Sequence, residues 1–127
     1  MGREDGRAIL SSTCFQLGVA GAQITRSFSL LIQHTGLTHK QVGLLAVVDA
    51  DQASSQREIA AQLGVTPSLV VSLVDQLANI GAVRRTRSRT DRRVQVIEIT
   101  DEGRRLLKAA TDVASRLDAD LRTTLSP

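Results

Sequence analysis

The chain has 127 residues, 16 basic and 13 acidic side chains, a net charge of +3 and two aromatic residues, Phe15 and Phe28. That length suits one domain with a real core, and no apolar run approaches the roughly 18 residues that a membrane helix needs. A single cysteine excludes an internal disulfide, and the opening MGREDGRAIL carries acids and no long apolar stretch, so the chain reads as cytoplasmic, without a secretory signal.

Residues 1–7 are expected to be a loose end. From about Ala8 to Gln33 the spacing predicts one long helix. Leu10, Cys14, Leu17, Gly21, Ile24, Phe28 and Leu31 alternate at steps of four and three, a seam of coiled-coil type. Gly18 and Gly21 inside it each cost about 1 kcal/mol against alanine, and close packing, in part against a partner subunit, is the expected compensation. His34-Thr35-Gly36 makes a turn. Thr38 with Gln41 forms a capping box that opens a helix to about Ala50, mostly buried through Val42, Leu45, Ala46, Val47 and Val48. Ser55 with Glu58 forms a second box, opening a helix through Leu63 that Gly64 ends. Gln56 and Arg57 in its first turn are either phosphate contacts or plainly exposed.

Thr66 caps the next helix, with Pro67 at its first position, and it runs to about Ile80. Val70, Leu73, Val74 and Leu77 face a core, while Ser68, Ser72, Asp75 and Asn79 lie opposite, flanked by Leu69, Val71 and Gln76. Gly81 ends it. Together, Ser55–Leu63 and Thr66–Ile80 make a helix-turn-helix. The serines suit phosphates or base edges, and Leu69 and Val71 suit thymine methyls. No Arg, Asn or Gln occupies the first two turns, so base preference leans on apolar contacts, water and DNA shape. Taken alone, this helix is equally an ordinary core helix with a bland outer face.

The following hairpin separates the two readings. Ala82–Arg85 and Val94–Ile99 read as strands. Residues 84–93 hold six arginines and one acid, Asp91, a charge of +5, so the rest of the chain sums to −2. A charge run is usually a solvated face. Directly after a two-helix unit it is also where a wing reaches the next groove, and arginine forks suit phosphate and a narrow minor groove. The candidate DNA contacts are Thr66, Ser68, Leu69, Val71, Ser72, Gln76, Arg85, Arg87, Arg89, Asp91 and Arg93. Thr100 then caps a last helix over 101–125, with Asp101 and Glu102 placed against its dipole and Gly103 early in it. Its stripe is Leu106, Ala110, Val113, Leu117 and Leu121, broadened by Leu107 and Ala114, and it is expected to pair with the first helix. The fold class is mostly α with a small β-hairpin wing, in one domain.

The ordered segments Leu63-Gly64-Val65-Thr66, Leu73-Val74-Asp75-Gln76-Leu77, Gly81-Ala82-Val83-Arg84-Arg85, Asp91-Arg92-Arg93 and Ile99-Thr100-Asp101-Glu102-Gly103 resemble the MarR family of bacterial transcription regulators. The resemblance covers roughly residues 8–125. It implies a DNA-binding transcriptional regulator, a ligand- or oxidant-responsive repressor acting as a homodimer on double-stranded DNA at a near-palindromic operator. Residues 8–33 and 101–125 would be dimerisation helices and 38–100 the winged helix-turn-helix reader. The two reader helices would enter successive major grooves and the wings the flanking minor grooves. By position, Arg93 would be the minor-groove arginine and Asp91 would orient the wing arginines. Geometry adds that Asp75 can pair with Arg85 at the wing base. Members of the family usually continue into one more helix, which here would start at Ser126-Pro127.

For sensing, Cys14 stands where hydroperoxide-sensing members carry a reactive cysteine. Those members hold the thiolate with tyrosines, which this chain lacks, and Gly18 and Phe28 occupy the places concerned. On an apolar seam a cysteine is usually a small buried hydrophobe. A small-molecule effector pocket between dimer helices and reader would draw on Phe15, Phe28, Arg26 and His39. His34, His39, Asp49 and Asp51 are too thin a set for a metal site, and capping or surface roles suit the histidines better. No cofactor is expected. No phosphate-binding glycine loop, nucleophile elbow or paired acid motif points to an enzyme. The alternative from another class is a basic winged-helix module that docks protein without specific DNA binding.

Overall fold

The computed structural model describes residues 2–51 and 54–125. Ser126 and Pro127, where the resemblance places the start of a further helix, lie outside the described residues. Among the described residues, six α-helices and a two-stranded antiparallel hairpin are arranged in the order α1 (Gly2–Ser11), α2 (Thr13–Leu31), α3 (His39–Asp49), α4 (Gln56–Leu63), α5 (Pro67–Asn79), β1 (Val83–Arg87), β2 (Gln95–Ile99) and α6 (Asp101–Leu125). Among the described residues no helix is long and apolar enough to cross a membrane.

The N-terminal region departs from expectation twice. Residues 2–7 are helical rather than loose, and the expected single helix over 8–33 is two helices broken at Ser12. Ser12 takes an extended conformation (φ −66°, ψ 142°), and its hydroxyl accepts from the Phe15 N–H at 3.2 Å while donating to the Ile9 carbonyl at 2.7 Å. Serine offers the backbone a cap in place of a continuing ladder, and here the cap wins. Among the described residues nothing lies within 4 Å of a Cβ built at Gly18 or Gly21, so they do not supply the close packing expected there.

The reader region carries the main core. Leu44, Leu45, Ile59, Val70, Val74, Leu77 and Ile97 are fully buried together, each contributing about 1.5–3 kcal/mol of burial before entropy is counted. Both capping boxes form, at Thr38/Gln41 and Ser55/Glu58, and Thr66 caps α5 through the Leu69 N–H with Pro67 behind it. Helices α4 and α5 end on glycines with positive φ, Gly64 at 67° and Gly81 at 75°. The Val65 N–H reaches the Ala60 carbonyl and the Ala82 N–H the Leu77 carbonyl. This closure places Ala82 in the helix stop instead of the strand. The hairpin therefore pairs Val83 with Ile99 through to Arg87 with Gln95, so its first strand runs two residues deeper into the arginine run than expected. Ile97 also donates to the Ser54 carbonyl at 2.8 Å, tying β2 to the segment before α4.

A second, smaller cluster joins the end of α2 to the middle of α6. It consists of Ile32, Ala110 and Val113, with Phe28 and Val42 against it. Leu106 belongs to the reader core, whereas Leu117 and Leu121 are half-buried and Ala114 is exposed. The stripe on α6 thus serves the reader first, then α2, and loses cover toward its C-terminus.

Candidate nucleic-acid interface

Helix α5 turns its apolar stripe into the core, which leaves Thr66, Ser68, Val71, Ser72 and Gln76 exposed on the outside. Leu69 is half-buried against the reader core, so only part of its side chain faces outward. Asp75 also faces out and is hydrogen-bonded to Arg85 Nη2 at the wing base. Arg85 lies on the face of β1 that carries Val83, turned toward α5, and this fixes the hairpin relative to the helix.

The wing loop is built around two short side chains. Ser88 Oγ accepts from the Thr90 and Asp91 N–H groups at 3.3 and 3.4 Å, while the Ser88 N–H donates to the Val94 carbonyl at 2.8 Å. Asp91 Oδ1 accepts from the Arg93 N–H at 3.0 Å and from its Nε at 3.1 Å, and Oδ2 accepts from Nη2 at 3.3 Å. These bonds from the Arg93 side chain, then from its backbone, hold the Asp91 carboxyl below its ordinary value of 3.8 against a small opposing effect of desolvation. Arg93 is thereby oriented, with its side chain still 90% exposed.

The six wing arginines are not equivalent. Arg84 pairs across the strands with Glu98 at 3.2 Å, Arg85 with Asp75, and Arg93 with Asp91. Arg87, Arg89 and Arg92 make no ion pair among the described residues and are exposed. Two of the partners, Asp75 and Glu98, lie outside residues 84–93, so the local charge of +5 overstates what the folded wing presents. In the first turn of α4, Gln56 is half-buried and Arg57 exposed.

The sensing candidates are dispersed. Cys14 is exposed in the first turn of α2, and Phe28 lies 14 residues further on, about 21 Å along the helix axis. Phe28 makes an edge-on contact with His39, ring centroids 5.8 Å apart, at one side of a cavity of about 570 Å³ between α2, α3 and α6. Phe15 and Arg26 are not part of its lining. His34 Nδ1 is 3.0 Å from the Leu31 carbonyl, in the turn after α2. Two contributors to the interface escaped sequence reasoning in this role. Ser88 shapes the loop, and Gln41 reaches Gln76 across 35 residues. An SxxD spacing inside the arginine run was the available sign of the first, and nothing local announces the second.

Two helices at a glycine turn, followed by an arginine-bearing hairpin seated on the second of them, define a winged helix-turn-helix protein. The chain belongs to the MarR family. The model of that family matches residues 35–94. The HTH-type transcriptional regulator TtmR of Methylorubrum extorquens (strain PA1) is 33% identical over 105 residues, which are 83% of this chain and 54% of that protein, so the chain spans little more than half the length of this curated relative. Among solved structures, CouR from Rhodococcus jostii RHA1 bound to p-coumaroyl-CoA superposes with a TM-score of 0.78 at 31% identity, covering 92% of this chain and 80% of that one. The transcriptional repressor CouR bound to a 23-mer DNA duplex superposes with a TM-score of 0.82, also at 31% identity, covering 91% and 82%.

Proposed function

We propose that the protein is a homodimeric, sequence-specific DNA-binding transcriptional repressor, with α5 in the major groove and the hairpin as a wing in the flanking minor groove. The observation that carries this reading is the shared orientation of α5 and the wing. The Arg85–Asp75 pair locks the hairpin to the exposed polar face of α5, and Arg87, Arg89 and Arg92, without an ion pair among the described residues, extend from it with Arg93. Thr66, Ser68, Ser72 and Gln76 would make the polar contacts of the helix, with Val71 and the outer part of Leu69 against thymine methyls. Asp91 acts through Arg93, and Arg85 positions the wing as much as it contacts phosphate. The solved complexes of CouR with DNA and with p-coumaroyl-CoA support the reading by analogy of fold and sequence.

An effector would bind the cavity between α2, α3 and α6, walled by Phe28, Val42, Leu107 and Leu117, with His39 and Thr111 as polar groups. Occupancy there would shift the spacing of the two readers in the dimer and misalign them with half-sites one helical turn apart. The test of the DNA reading is binding of the purified chain to the DNA upstream of its own gene, with excess nonspecific competitor and a salt series. Saturable binding to a short near-palindrome is expected. In Arg93→Ala, affinity falls and the log–log salt slope decreases by about 0.9 for each phosphate that the variant leaves unneutralised. Binding that the competitor abolishes, or that ignores Arg93→Ala, would sink the reading.

A further inference from the structure

Gln41 is the capping-box residue of α3, yet its amide has a second use, and the direction of every bond in the chain it belongs to is fixed at one end. The Thr38 backbone N–H can only donate, and it donates to Gln41 Oε1 at 3.0 Å. The free end of the Gln41 amide is therefore Nε2, which donates to Gln76 Oε1 at 2.8 Å. This leaves Gln76 Nε2 on the other side, 3.5 Å from Ser72 Oγ one helix turn earlier. By accepting there, the Ser72 hydroxyl keeps its own hydrogen for an outside acceptor. Ser72 and Gln76 are both exposed on the outer face of α5.

We propose that Gln41 sets the base preference of α5. It holds Gln76 and Ser72 as paired hydrogen-bond donors and thereby selects guanine over adenine at the base they face. The inference rests on the reading of α5 as the major-groove helix. Guanine presents two acceptors there, N7 and O6, whereas adenine presents an acceptor beside the N6 donor. A free glutamine suits adenine because its amide offers donor and acceptor together. Here Gln76 Oε1 is turned toward Gln41 and Nε2 toward Ser72, so adenine would bring its N6–H against the Nε2–H donor, where guanine brings the O6 acceptor. Gln41 itself touches no DNA; it is a positioning residue.

The experiment is selection of binding sites from a randomised DNA duplex pool with the full chain, followed by affinity measurements on guanine and adenine versions of the selected site. Comparing the wild type with Gln76→Ala locates the base whose preference depends on Gln76, and the wild type is expected to favour guanine there by about fivefold. Gln41→Glu keeps the capping box, since glutamate serves at that position as well as glutamine. It offers Gln76 only acceptors, so the Gln76 amide turns over, presents Oε1 outward, and the preference moves to adenine. The added negative charge weakens binding to all sequences alike and does not imitate a change of base. Gln41→Met offers neither end and flattens the preference. A guanine preference unchanged in Gln41→Glu overturns the proposal, as does a Gln76→Ala variant that weakens binding equally on every sequence. A wild type that enriches no sequence defeats the reader reading and this inference with it, whereas an enriched site indifferent to Gln41 defeats the inference alone.

Discussion

Asp91 shows how much one carboxylate does in the wing. Three bonds from Arg93 converge on it, two from the guanidinium and one from the backbone, and they lower its pKa below the ordinary 3.8. A depressed carboxyl contributes order above its unfolded value and loses it as pH falls through the lower folded value. The Arg93 amide and Nε proton signals in NMR should therefore titrate together at acid pH with a midpoint below 3.8. Asp91→Asn should abolish that acid transition. A midpoint above 3.8 would mean that the pair does not form in solution. The Asp75–Arg85 pair was expected from geometry at the wing base, whereas the family resemblance implied only that Asp91 orients the wing arginines; among several within reach, the one it holds is Arg93. The Arg84–Glu98 pair was not anticipated, since it needs the strand register that sets the two residues opposite each other. Ser88 left only the SxxD spacing as a sign of its role in the loop, and the Gln41–Gln76 contact left none, because it spans 35 residues.

At the level of elements, α6 meets the hairpin closely at Gly103. Thr100 anchors the junction. Its N–H donates to the Ala82 carbonyl at 3.0 Å, its hydroxyl donates to the Gly81 carbonyl at 2.5 Å, and the same oxygen accepts from the Gly103 N–H at 3.1 Å. A Cβ at position 103 would collide with the Ala82 carbonyl oxygen and stand 2.7 Å from Ile99 Cγ1. The backbone at Ala82 cannot yield without breaking the bond from Thr100. Gly103→Ala gains about 1 kcal/mol of helix propensity, yet overpacking against backbone should outweigh it, for a net loss of about 1–3 kcal/mol. Urea denaturation should show a lower midpoint at unchanged slope; an unchanged or raised midpoint would contradict the packing described. In the sequence, glycine early in a helix reads only as a cost, so this contact was hidden. The caps at Thr38, Ser55 and Thr66 were read correctly because a cap is decided within four residues. The break at Ser12 was missed because the four-three apolar spacing runs straight through it, and periodicity does not register a single extended residue.

Across the whole molecule, the apolar seam of α1 and α2 has no cover from the described residues over most of its length. Leu10 is 60% and Leu17 67% exposed, and only the end of α2, through Phe28 and Ile32, packs on α6. A contiguous apolar face of this kind marks an interaction surface, and in the proposed dimer it is the partner subunit that covers it. The seam was legible in the sequence as a 4-3 repeat. Its occupant was not, because spacing gives the same pattern for a core helix and for an interface helix. Leu17 lies in the middle of the exposed part, remote from the reader core, so Leu17→Glu separates association from folding. Each subunit would lose about 1.5–3 kcal/mol of burial, and two-fold symmetry counts the loss twice. The dimer dissociation constant should rise by at least about a hundredfold, converting micromolar samples to monomer in sedimentation velocity. The helical circular dichroism of the reader should persist, while operator affinity should collapse, since two half-sites are then bound by independent subunits. A Leu17→Glu protein that still sediments as a dimer and binds its operator unchanged would place the subunit interface elsewhere and leave the α1–α2 face without a role.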